Sequence, residues 1–453
     1  MDASREKAPS AQETFVQMAQ AAGLRGRILV TLGLLILARL GTFIPVPGID
    51  RVTFAKDIQN SPAIGFLDIF SGGALSAIGI FALGIIPYIN ASIIIQLLTT
   101  ALPALEKLQK EEGEAGRRKI SQITRYVAVG WSIAYSIGIA LWLNNTIDPN
   151  TSLPKYLLPG QQGTFFIVGT VMALVAGSMF VMWISELITE RGIGNGASLL
   201  IFLNIVAVLP KSLSATFNLA QSGDSSILTR TVVLLAVFVA MTVGIVFVQE
   251  GTRRIPIISA RRQVGRRIQR ERTSYLPLRL NQGGVMPIIF ASSVLALPSA
   301  LASFVSSNST NSGVTQAVTT IKDFLSPNGN GYVPFYLILI VFFSYFYSSL
   351  VVNPVDMAQN LKKMGASIPG VRPGIATTKY IEGILARLTL LGAIFLGVVA
   401  TVPTAIESGL GVTTFRGFGA TSLLILVSVA IDTAKQIQTL VISQRYEGMI
   451  GKE

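Results

Sequence analysis

From residue 253 to residue 279 the chain sets nine arginines and no lysine, within TRRIPIISARRQVGRRIQRERTSYLPLR. Lysine would serve equally well where only positive charge is wanted, whereas a guanidinium adds a planar fork that meets phosphate or carboxylate bidentately. The stretch suits a docking surface for RNA backbone or an acidic protein, with a solvated basic loop as the bland alternative. A second group of residues is aliphatic. Residues 84–92, GIIPYINAS, return 200 positions later as 284–292, GVMPIIFAS, with Gly, Pro, Ile, Ala and Ser in register. A site built on Ile85, Ile89, Ile288 and Ile289 offers no acid, base or metal ligand. A narrow ring of isoleucine can close a pore by dewetting, because it cannot replace the hydration shell of an ion. The same side chains could instead pack helices or face lipid, and spacing alone leaves both readings open.

The chemistry the chain cannot do is equally defined. Its 453 residues include no His and no Cys, which removes disulfides, thiolate nucleophiles, Ser-His and Cys-His dyads, His-ligated metals and histidine pH switches. No cofactor or metal site is expected. The glycine-rich ELITERGIGNG, 186–196, is a weak phosphate-loop signal, and the chain contains no G-x-x-x-x-G-K-[ST]. It reads as a helix C-cap followed by an N-cap at Asn195. Nucleotide hydrolysis must then be supplied by a partner.

Positioning these residues falls to membrane helices. The composition, 51% hydrophobic and 13% charged with a net charge of +13, is that of a multi-span membrane protein whose few ionised groups sit at the membrane surfaces. Apolar windows of about 20 residues, enough to cross the hydrocarbon, fall near 28–46, 77–102, 126–143, 164–185, 197–210, 231–249, 285–305, 333–352, 383–403 and 420–442. Ten spans put both termini on one side. With the N-terminal arm inside, 27 of the 36 Lys and Arg lie in inside segments and seven in outside loops, with Arg39 and Arg387 within spans.

The repeated motif opens the second and seventh spans. A division into five plus five makes these the second helix of each half, and an odd number forces the halves to insert with opposite orientation. The expected layout is a cytosolic arm, 1–27, with an amphipathic helix around Phe15, Val16 and Met18; an N-terminal half, 28–230; a C-terminal half, 231–442; and a cytosolic tail, 443–453. Basic inside loops occupy 249–284 and 353–380, the latter presenting Lys362, Lys363 and Arg372 on ordered turns. Between the first two spans, apolar residues 64–79 are broken by Asp68, Gly72 and Gly73 and read as a half-helix folded in from the outside face.

Several segments together resemble the SecY family of protein-conducting channel subunits: ALGIIPYINASIIIQLL (82–98), EGEAGRRKISQITRY (112–126), ITERGIGNG (188–196), ARRQVGRR (260–267), GVMPIIFASS (284–293), NLKKMGASIPGVRPG (360–374) and GATSLLI (419–425). The closing AKQIQTLVISQRYEGM is most similar to the cyanobacterial and plastid branch. The resemblance implies an all-α clamshell of two inverted five-helix halves around an hourglass pore, with a lateral gate between spans 2 and 7. By motif match it places a pore ring at Ile85, Ile89, Ala197, Ile201, Ile289 and Ile425. Ala197 departs from the larger aliphatic usual there, leaving a smaller side chain at that point of the seal. It implies a plug over about 64–77, including Phe66, Asp68, Phe70, Gly72 and Gly73, and gate positions Pro87, Ser92, Gln96, Pro287 and Ser292. Ribosome and motor docking would use Arg253, Arg254, Arg261, Arg262, Arg266, Arg267, Lys362, Lys363 and Arg372. Implied partners are SecE-like and SecG-like small membrane subunits, the SecA ATPase motor, the ribosome, signal peptides and nascent chains, YidC and membrane lipid. The implied home is the bacterial cytoplasmic membrane or the thylakoid, with termini in the cytosol or stroma.

The rival from another class is an inverted-repeat secondary transporter for a small solute. Such proteins place an ionisable or ion-coordinating group near the midplane, and here the repeat offers aliphatics, with Arg39 and Arg387 as the spare ionisable residues in spans. An intramembrane enzyme is disfavoured by the missing His and Cys, although a Ser-Lys arrangement stays open.

Overall fold

Each expected span carries a helix, and the places where helices start or stop late trace to particular glycines and prolines. The computed structural model describes residues 22–59, 68, 71–110, 112–147, 154–160, 163–220, 225–259, 263–264, 267–268, 273–295, 331–410 and 420–450, with isolated positions from 320 to 329. The arm helix expected around Phe15, Val16 and Met18 lies outside these residues, as do plug positions Phe66 and Phe70, docking positions Arg261, Arg262 and Arg266, and the far part of span 7 beyond Leu295.

In chain order the helices are α1 (Ala22–Gly41), α2 (Arg51–Gln59), α3 (Ile86–Ala101), α4 (Pro103–Lys110), α5 (Gly113–Asn145), α6 (Thr164–Arg191), α7 (Gly196–Ala220), α8 (Ser225–Glu250), α9 (Met286–Leu295), α10 (Tyr332–Val351), α11 (Pro354–Lys363), α12 (Ile375–Leu410) and α13 (Ala420–Ile450). Among the described residues six helices are by themselves long and apolar enough to cross a membrane, seven if α3 and α4 count as one span. That pair bends by 103° at Leu102, whose extended backbone (φ −106°, ψ 114°) is the conformation a following proline requires. Span 2 starts later than its apolar run suggests. Gly72, Gly73 and Gly84 all take positive φ, so residues 72–85 run as turns and the helix forms only at Ile86. The fifth span, short by sequence, continues through Pro210, and the tenth continues through Asp432 and Lys435.

The described chain divides into two compact units, one within Met1–Ser214 and Val429–Glu453, the other within Ala215–Ser428. In the first, α3 packs against α5 and α6 through Ala91, Ala128 and Met182, and Asn90 Nδ2 donates to Tyr135 Oη at 3.1 Å. Arg125 and Glu186 join α5 and α6 by a 2.8 Å ion pair. The α6–α7 turn is held to α1 by a bond from Ile193 N to Thr31 Oγ1 at 3.0 Å. Asn195 caps α7 as its sequence suggests, accepting from Ser198 N at 3.2 Å. At one end, Val46, Ile49, Phe54, Leu143, Tyr156 and Phe166 form a core, with Phe54 edge-on to both Trp142 and Tyr156.

The second unit contains structure that the sequence reading missed. The arginine-rich stretch is a β-hairpin: β1 (Thr252–Ser259) pairs antiparallel with β4 (Thr273–Arg279), and two short strands, β2 (Gln263–Val264) and β3 (Arg267–Ile268), pair farther out. From the next inside loop β5 (Ala366–Ser367) adds to the other edge of β1, giving the order β4-β1-β5. Ile255, Ile257 and Leu278 point into a core shared with Leu361 of α11 and Ile381, Leu385 and Leu388 of α12. The two basic loops are thus one folded module.

Candidate functional site

The two copies of the repeated motif fold alike. Gly84 and Gly284 take φ of 51° and 58°, a left-handed turn that an L side chain resists, and each leads into a helix with proline in its first turn. The same backbone bond follows in each copy, Ile89 N to Ile85 O at 3.1 Å and Ile289 N to Val285 O at 3.2 Å. Each glycine carbonyl is gripped by a side chain. Ser178 Oγ of α6 donates to Gly84 O at 3.2 Å, and Asn281 Nδ2 donates to Gly284 O at 2.8 Å while also reaching Gln249 Oε1 of α8 at 3.3 Å. Ser178, Asn281 and Gln249 do not stand out in the sequence; a lone polar residue in an apolar run is their only signal.

Of the expected ring residues, Ile85, Ile89, Ala197 and Ile201 belong to the first unit and Ile289 and Ile425 to the second. Ile85, Ile201, Ile289 and Ile425 are buried, and Ile89 and Ala197 half-buried. Of the gate positions, Pro87, Ser92 and Gln96 stand on α3 and Pro287 and Ser292 on α9. Ser292 Oγ is satisfied within its own helix by Ile289 O at 3.0 Å, whereas Gln96 Oε1 is buried with no partner among the described residues. Ala91, next to Ser92, is wholly buried with Ala128 of α5 and Met182 of α6, since adjacent helical residues face about 100° apart.

Ahead of α3 in the chain, residues 72–78 run as turns organised by Asp68, whose Oδ1 accepts from Ser76 N at 2.7 Å. Arg39, near the end of α1, donates through Nη1 to Gly72 O. Gly72 is confined: a Cβ there would stand 2.6 Å from Asn204 Oδ1 of α7.

On the basic module, Arg253, Arg254, Lys362, Lys363 and Arg372 are all exposed or half-exposed, and Arg267 lies on β3. The two lysines sit in the last turn of α11, where cations complement the helix dipole. Asn353 caps the other end of that helix through Val355 N at 3.0 Å. Arg372 is held by its backbone, its carbonyl accepting from Thr377 Oγ1 at 2.9 Å. Among the described residues no three acids gather as a metal site.

These features define a polytopic helical membrane protein with a duplicated helix opening, a turn-built segment lodged beside it and a solvent-facing basic module. A family model described as SecY matches residues 79–434. The chain is 67% identical to the protein translocase subunit SecY of Synechococcus elongatus, over 99% of this chain and 100% of that one. It is 54% identical to the subunit of the same name from Pyropia yezoensis, over 95% of this chain and 100% of that one. Its structure is similar to Sec61 in the canine ribosome-channel complex, with a TM-score of 0.59 at 15% identity over 91% of each chain, a likeness of fold. The chain belongs to the SecY family.

Proposed function

We propose that the protein is the central subunit of a translocation channel, passing unfolded secretory polypeptides across the membrane and releasing hydrophobic segments sideways into lipid between α3 and α9. The observation that carries this is the pair of matched helix openings at Gly84 and Gly284, which flank aliphatic side chains and no Asp, Glu, Lys or Arg. Ile85, Ile89, Ala197, Ile201, Ile289 and Ile425 act as the seal. Residues 28–230 and 231–442 act as the two inverted halves. Sideways release follows from partitioning: a Leu, Ile, Phe or Val gains roughly 0.3 to 0.6 kcal/mol in the membrane, while an Asp, Lys or Arg costs roughly 2.5 to 3.5. A segment dominated by the former leaves for lipid; a polar one continues through the ring.

Arg253, Arg254, Lys362, Lys363 and Arg372, on one folded module with Arg267, serve as the dock for the ribosome and a SecA-type motor. SecE-like and SecG-like subunits, signal peptides, nascent chains, YidC and lipid complete the partner set. The membrane is the cyanobacterial cytoplasmic or thylakoid membrane, with both termini on the cytosolic side.

The test replaces Ile85, Ile89 and Ile289 together by Gly and reads ion conductance in planar bilayers. The expected outcome is a resting current absent from the parent; an unchanged, silent bilayer would remove the ring seal.

A further inference from the structure

We infer that Arg39 is the latch that seats the turn-built segment at residues 71–77, with Ile78 as its hinge. This rests on the channel reading above and adds a positioning residue to it. The segment is bonded to itself: Gly73 N donates to Asp68 O at 2.8 Å, Ser71 Oγ to Asp68 O at 2.9 Å, Leu75 N to Ser71 Oγ at 3.0 Å, and Ser76 N to Asp68 Oδ1 at 2.7 Å. Such a knot can move as one piece. Immediately after it the chain is fixed. Ile78 O accepts from Val46 N at 3.0 Å, Ile80 N donates to Ile44 O at 2.8 Å, and Pro45 bridges Gly79. Where the anchor begins, Ile78 stands at φ 41°, a left-handed conformation that a β-branched residue adopts only when its surroundings impose it, and two bonds cross this joint that must break for it to turn, Ile78 N to Leu75 O at 3.0 Å and Gly79 N to Ala74 O at 2.9 Å. That strain marks the joint where rotation is released when the segment leaves.

The seat is polar and charged. Arg39 Nη1 donates to Gly72 O, the guanidinium lies 5.2 Å from the Phe43 ring, and a cavity of about 170 Å³ beside it is lined by Arg39, Asp68, Gly72, Ser76 and Val208. A guanidinium at membrane depth is costly without an acceptor. Seating the segment supplies a carbonyl and places Asp68 in the same cavity; unseating it withdraws both. Gly72 is the one residue type that fits, since its φ is 68° and a Cβ would meet Asn204 and Arg39 at once. The latch therefore biases the resting protein toward the seated state.

The chain has no cysteine, so Ala77→Cys on the cavity wall gives a single label site. The full-length protein in proteoliposomes is exposed to a membrane-impermeant maleimide. Arg39→Gln is expected to speed labelling on the order of tenfold or more, the range covered by losing a hydrogen bond to a charged group. Arg39→Lys, which keeps the positive charge that Gln lacks, should fall between the two. Gly72→Ala should act in the same direction with Arg39 intact, which guards against a fold defect peculiar to the arginine variants. Labelling at the parent rate in both Arg39→Gln and Gly72→Ala overturns the latch. The Ile85, Ile89 and Ile289 glycine variant, measured for conductance in the same membranes, judges the channel reading separately: its silence would sink the ring while the labelling rates still decide the latch.

Discussion

Gln96 shows how much one side chain on a helix face can matter. Thr99 and Thr100 donate their hydroxyls to its backbone carbonyl at 2.8 and 3.0 Å, but its side-chain oxygen is buried with no partner among the described residues. An unmet buried amide costs about 1–3 kcal/mol, and replacing it with an apolar group of similar size removes that cost. Asn90, a turn and a half earlier, avoids the problem by binding Tyr135. Gln96→Leu is therefore expected to raise resting stability by about 1 kcal/mol, read as a higher unfolding midpoint in detergent. It should also lower translocation of precursors with weakly hydrophobic signals more than of strongly hydrophobic ones, because α3 then presents only hydrocarbon at that point. An unfolding midpoint at or below the parent's would show that Gln96 already has its partner.

At the scale of elements, the helices are legible in the sequence because each apolar run is long, and the repeat is legible because five residue types recur in register. The hairpin is not, although its signal is present. Ile255 and Ile257 alternate with exposed Arg254 and Pro256, and Leu276 and Leu278 with exposed Tyr275 and Pro277, which is the period of a half-buried strand. The charge run masks that alternation, and Pro256 and Pro277 argue against strands. Pro256 pairs with Tyr275 and Pro277 with Arg254, while β5 reaches only Ile258 and Ser259, so both prolines are spared a second neighbour. The latch is half legible: Arg39 stands out as a cation inside a span, but its pairing with Gly72, 33 positions on, depends on turns that only the fold provides. Because the hairpin and the α11 loop form one module, the docking residues should act together. Reversing Arg261, Arg262, Arg266 and Arg267 to Glu is expected to weaken ribosome binding at least tenfold at low salt. It should also flatten the slope of log affinity against log salt by about 0.7 for each RNA phosphate that the module no longer neutralises. Unchanged affinity at low salt would strip the hairpin of this role.

Over the whole molecule, the two repeated openings carry different insertions. Before Gly84 come the turns around Asp68 and the Arg39 seat; before Gly284 comes the hairpin of β1 and β4. An odd number of spans in each half would put these insertions on opposite membrane faces, with the proposed stopper outside and the proposed dock inside. The distribution of Lys and Arg predicts that polarity, and single cysteines in this cysteine-free chain can read it in each unit on its own terms. Gln122 and Asn145 stand near opposite ends of α5, Leu158 is exposed beyond it, and Met364 is exposed where α11 ends beside β5. With a membrane-impermeant maleimide, Asn145→Cys and Leu158→Cys should label from outside intact cells. Gln122→Cys and Met364→Cys should label only in inverted vesicles. Met364→Cys labelled from outside would put the arginine hairpin on the wrong face for a ribosome, and with it the assignment of dock and stopper to their two sides.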